Sequence, residues 1–108
     1  MPLIALLTDF GLADTYVGQM HGVLAGLAPE VRVIDLSHAV PPQDVAVGAA
    51  WLEDVVPALP TGTIVVAVVD PGVGSSRRAI AAEIGSWTFV GPDNGLFTGV
   101  LRRWPLIR

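Results

Sequence analysis

The chain contains no cysteine, which excludes a disulfide framework, a thiolate nucleophile and a metal site built on sulfur. Charge is scarce too. Asp, Glu, Lys and Arg make up 15% of the 108 residues, against about 25% in an average globular chain. Six basic residues stand against ten acidic ones, a formal net charge of −4. With no basic stripe and no series of stacking aromatics, nothing points to a nucleic-acid partner. The N-terminal apolar run Leu3–Leu7 meets Thr8-Asp9 at once, which is too short for a signal-peptide core or a membrane span. The expectation is a cytoplasmic protein that is not held in a membrane. Repeats, low-complexity tracts and linkers are also missing.

Apolar side chains are plentiful. Hydrophobic residues make up 52% of the chain, and the mean hydropathy is +0.61. The length suits one domain and is too short for two. A domain of this size buries only about 60–65% of the surface its unfolded chain exposes. The apolar surplus therefore implies either a subunit partner or further chain, or else a parallel sheet whose central strands are apolar on both faces.

Leu3–Leu7 predicts a buried strand closed by the turn Thr8-Asp9-Phe10-Gly11. Val17, Met20, Val23, Leu24 and Leu27 follow at helical spacing, and Pro29 stops that helix. A second strand is expected from Val31 to Leu36, running into Ser37-His38. After Pro41-Pro42, Asp44 is placed to cap a helix through Val56 with Val45, Ala49, Leu52 and Val56 as its stripe. Thr63–Val69, β-branched almost throughout, predicts a strand in the middle of the sheet. Two more strands, Ala79–Ile84 and Trp87–Val90, flank a turn at Gly85-Ser86. Pro92–Gly95 then opens a short helix through Arg103, and Leu106-Ile107 begins another strand. The alternation of strand and helix predicts an α/β fold, a mainly parallel, Rossmann-like sheet covered by helices. In such sheets ligands sit beyond the carboxyl ends of the strands. Asp9 and Asp70 both fall there.

Asp9 could accept hydrogen bonds from the vicinal hydroxyls of a ribose, or it could cap its own turn through the backbone of Gly11 or Leu12. Asp-Phe-Gly also occurs in protein kinases, but no kinase lysine strand or catalytic loop accompanies it here. In Asp70–Arg78, DPGVGSSRR, Arg77 follows Asp70 by seven residues and could fold back toward it. Such a pair could hold and polarise a water molecule, or merely stiffen the loop. A phosphate-gripping loop is a third reading, although neither the Walker pattern nor the dinucleotide glycine triplet is present. Asp14, Tyr16, Asp93 and Asn94 belong to loops on the same edge and are of types that commonly form turns. His21 and His38 lack a third ligand at metal spacing. Trp51, Trp87 and Trp104 suit a core or an interface.

Five segments occur in a fixed order: TDFG at 8–11, YVGQMHGV at 16–23, DLSHAVPPQD at 35–44, DPGVGSSRR at 70–78 and GPDNGL at 91–96. Together they resemble the S-adenosyl-L-methionine hydroxide adenosyltransferase family, which is related to the fluorinase and chlorinase enzymes. The resemblance spans essentially the whole chain. It implies an α/β N-terminal domain at 1–108, followed in the family by a β-barrel domain not contained in this sequence, and a homotrimer with sites between subunits. It further implies that Asp9 holds the ribose hydroxyls, with Phe10, Asp14 and Asn94 as further substrate-binding candidates. Asp70 and Arg77 would be catalytic, belonging to an Asp–Arg–His set that positions water or hydroxide. The family's histidine has no counterpart in this sequence, and His21 stands where many relatives carry Lys. In the halogenating branch the position of Asp70 resembles a Tyr, so Asp70 favours hydrolysis.

The activity implied is hydrolysis of S-adenosyl-L-methionine to adenosine and L-methionine, with no metal or cofactor. Two alternatives stand beside it: a non-catalytic nucleotide-binding or structural domain, and halide-dependent adenosyl transfer.

Overall fold

The computed structural model describes residues 2–71 and 78–108. In chain order the elements are β1 (Leu3–Thr8), α1 (Tyr16–Leu27), β2 (Arg32–Ser37), α2 (Val45–Val55), a 3-10 turn (Val56–Ala58), β3 (Ile64–Val68), β4 (Ala79–Ile84), β5 (Trp87–Pro92) and α3 (Thr98–Arg103). The strands form one sheet in the order β2-β1-β3-β5-β4. Pairing is parallel except between β4 and β5, which form an antiparallel hairpin. The expected α/β architecture with a mainly parallel sheet is therefore present. Leu106 adds only an isolated antiparallel bridge to Ile84, where a strand was expected to begin.

Local chemistry accounts for the element ends. Asp44 accepts a hydrogen bond from the Val47 N–H at 3.1 Å, the N-cap expected for α2. Helix α1 stops at Leu27, because the residue before Pro29 is steered out of helical geometry. Gly85, at φ +59°, makes the tight corner between β4 and β5.

The core lies on one face of the sheet. Leu7, Val65, Ala67, Val69 and Phe89 pack there against Leu52, Val56, Leu96, Phe97 and Val100, all buried. Burying a side chain such as Leu52 fully is worth about 1.5–3 kcal/mol. Gly91 is required in β5, because a Cβ there would overlap the carbonyl oxygen of Ala67 and approach Phe97 Cζ to 2.9 Å.

The opposite face is more thinly covered. Strand β3 is central by its pairing with β1 and β5, yet its residues alternate between buried (Val65, Ala67) and half-buried (Ile64, Val66, Val68). Helix α1 lies on this side and buries only Val17, while Val23 and Leu27 are 60% and 79% exposed. The apolar surplus of the composition thus resides partly on this face. No helix among the described residues is long and apolar enough to cross a membrane.

Candidate functional site

Strand β1 pairs with β2 on one side and β3 on the other, so the strand order reverses there. The carboxyl ends of two parallel strands at such a reversal leave a crevice for a ligand. The last rung between β1 and β3 joins Thr8 to Val68. Asp9 follows that rung on β1, and Asp70 lies two residues beyond it on β3. Neighbouring strands run about 4.8 Å apart, so the two strand ends lie within the span of one sugar.

The two carboxylates approach this edge from different sides. Asp9 is half-buried, and its Oδ2 accepts the Gln43 N–H at 2.6 Å. Asp9 does not cap its own turn through Gly11, because the Gly11 N–H goes instead to the carbonyl of His38 at 2.8 Å. Gln43 presents its amide from a left-handed conformation, φ 63°, the single non-glycine residue of that kind among the described residues. For an L-residue this costs on the order of 1–2 kcal/mol. Strained residues persist where surrounding structure fixes them, commonly at ligand sites. Asp70 is also half-buried. It lines a hollow of about 270 Å³ with Val66, Val68, Val90 and Arg78, on the thinly covered face. Arg77, expected to pair with Asp70, lies outside the described residues.

The other expected residues divide by role. Phe10 is half-buried and stacks obliquely on Tyr16 with ring centroids 5.2 Å apart, forming an aromatic wall beside Asp9. Asp14 accepts the Tyr16 N–H at 2.9 Å, so its carboxylate satisfies an orphan donor at the start of α1. Asn94 donates to the Val69 carbonyl at 2.9 Å and accepts the Leu96 N–H at 3.1 Å. Its amide thus staples the loop after β5 to the end of β3. Asp93 pairs with Arg78 at 2.9 Å, joining the same loop to the far side of the edge.

Sequence reasoning set the histidines aside. In the structure His38 is buried, with Nδ1 2.7 Å from Thr8 Oγ1 and Nε2 2.7 Å from Asp35 Oδ1. His21 reaches both oxygens of the same carboxylate, at 3.0 and 3.1 Å. Partial burial works to raise the Asp35 pKa, but hydrogen bonds from His38 and His21, with their charges, outweigh it and hold the carboxyl below its ordinary 3.8. The available signal was Asp35 and His38 three residues apart at a strand end. No group of three or more His, Cys, Asp or Glu among the described residues is arranged to hold a metal.

Comparison with known proteins places this edge in context. A curated (R)-S-adenosyl-L-methionine hydrolase of Thermus thermophilus is 57% identical over 95 residues, covering 88% of this chain and 37% of that protein. A crystal structure of a conserved hypothetical protein from the same species, Thermus thermophilus, superposes with a TM-score of 0.92 at 52% identity. That match covers 100% of this chain and 45% of the other. A fluorinase of Nocardia brasiliensis is more distant, at 28% identity over 124 residues covering 94% of this chain and 41% of the enzyme. The chain thus spans less than half the length of the relatives it matches. Residues 4–107 match the family described as the SAM hydroxide adenosyltransferase N-terminal domain, and the chain belongs to that family.

Proposed function

We propose that this chain contributes the ribose- and water-holding edge of an active site that hydrolyses S-adenosyl-L-methionine to adenosine and L-methionine. The supporting observation is the placement of Asp9 and Asp70 at the carboxyl ends of adjacent parallel strands, where the strand order reverses. The 57% identity to a curated (R)-S-adenosyl-L-methionine hydrolase supports the same reading. With one Asp9 oxygen accepting from Gln43, the other is available to accept from the ribose hydroxyls, and the Phe10–Tyr16 wall shields them.

In the reaction a water oxygen bonds to the ribose C5′ as the C5′–S bond breaks. The sulfur keeps the electron pair and becomes the neutral thioether of methionine. Asp70 accepts a hydrogen bond from the attacking water and takes up the proton it releases, and Arg77 stabilises the developing hydroxide. The sulfonium is already a good leaving group, so alignment of the oxygen about 3–3.5 Å from carbon is the main demand on the site. The finer expectations belong to the same proposal: a cytoplasmic homotrimer, no added cofactor, a second β-barrel domain completing the site, and Asp14 and Asn94 near the substrate. For those last two, the bonds they make support a loop-shaping part.

The test is incubation of the protein with S-adenosyl-L-methionine, following adenosine and methionine. Equimolar release supports the reading. Binding without release supports the non-catalytic alternative. The fluorinase likeness makes halide transfer a second reading, supported if chloride or fluoride diverts the product to 5′-halo-adenosine.

A further inference from the structure

His38 stands where a regular strand would not put it. Along a strand successive side chains alternate between faces, so residues 35 and 38 would point to opposite sides. The pairing of β1 with β2 slips by one residue: Leu6 stands level with Asp35, but Leu7 stands level with Ser37. The extra residue carries His38 to the level of Thr8 and onto the face of Asp35.

A directed chain of hydrogen bonds follows. A carboxylate only accepts, so the 2.7 Å contact with Asp35 Oδ1 assigns a proton to His38 Nε2. In the neutral ring the other nitrogen, Nδ1, accepts the Thr8 hydroxyl proton at 2.7 Å; in the charged ring it donates to the Thr8 oxygen, and the link is kept either way. The Thr8 oxygen in turn accepts the Phe10 N–H at 3.1 Å. Meanwhile the His38 carbonyl takes the Gly11 N–H at 2.8 Å. Both amides that follow Asp9 are therefore tied to His38, one directly and one through Thr8. Thr8 is fully buried and the His38 side chain is 3% exposed, so water does not compete for these bonds.

We propose that His38 is a positioning residue: clamped by Asp35, it fixes the turn from Thr8 to Gly11 and thereby aims the Asp9 carboxylate at the ribose hydroxyls. The proposal rests on the ribose reading of Asp9. A histidine that served only the fold would alter stability without altering which sugar hydroxyls are recognised.

The experiment is equilibrium binding of adenosine and of 2′,3′-dideoxyadenosine to the protein and to His38→Gln, Thr8→Val, Thr8→Ser and Asp9→Asn, with folding checked by circular dichroism. The unaltered protein is expected to prefer adenosine by roughly 10- to 100-fold, the span of hydrogen bonds to a charged group. His38→Gln and Thr8→Val should lose most of that preference while binding the dideoxy compound nearly as before. Thr8→Ser, which keeps the hydroxyl, should retain it. If the two disruptive variants keep the preference while Asp9→Asn loses it, His38 does not position Asp9, although the ribose reading stands. If the unaltered protein shows no preference, the ribose reading fails and the proposal fails with it. Should His38→Gln not fold, the contrast between Thr8→Val and Thr8→Ser decides the matter alone.

Discussion

The Asp35 carboxylate lies 2.7 Å from His38 Nε2 and also receives His21, so one acidic side chain joins the end of β2 to helix α1. His21 and His38 are the titratable groups facing it, and their hydrogen bonds hold its pKa below the ordinary 3.8. A carboxyl depressed on folding stabilises the protein above its unfolded pKa and loses that contribution as pH falls through the folded value. The stability difference between the protein and Asp35→Asn should therefore be full above about pH 5 and shrink below 3.8. Thermal unfolding midpoints across pH 2–6 check this, because that is the range where carboxyls titrate. A constant difference would contradict it.

Gly91 lines the hollow that also holds Asp70, and a Cβ there would overlap the Ala67 carbonyl. Neither partner can yield cheaply, because both are main chain within paired strands. Gly91→Ala is expected to destabilise the protein by about 1–3 kcal/mol through overpacking. Urea unfolding measures it, and an unchanged midpoint would show that β3 and β5 separate more easily than their packing implies.

In the proposed reaction Asp70 and Arg77 act on the water and not on the ribose. Asp70→Asn should therefore lower kcat by about 10²–10⁴-fold, the usual worth of a positioned acid–base group, and change KM little. Arg77→Gln should likewise reduce kcat far more than it raises KM. Steady-state kinetics on both variants provides the comparison. Equal losses in kcat and in substrate affinity would move these residues from the chemistry to binding.

Much of the fold was legible because its signals are local. The apolar run Leu3–Leu7, the β-branched segment ending at Val69 and the cap at Asp44 each carry their meaning within a few residues. The positions of Asp9 and Asp70 follow from where those strands end. Their approach from different sides of the edge does not, since it depends on the Gln43 amide and on hollows formed by tertiary packing. The arrangement at His38 was equally hidden. It turns on a register slip between β1 and β2, and register is decided by pairing, not by either strand alone. A left-handed Gln43 could not be anticipated either, because the sequence offers no glycine or asparagine at that position to mark it. Arg78 meeting Asp93 across the edge is again a contact between segments distant in sequence.

The most direct measurement is hydrolysis of S-adenosyl-L-methionine in water enriched in ¹⁸O, with mass analysis of both products. Attack at the ribose C5′ should place one heavy oxygen in the 5′-hydroxyl of adenosine and none in methionine. Unlabelled adenosine, or no adenosine from a protein shown to bind the substrate, would contradict attack by a water held at the ends of β1 and β3.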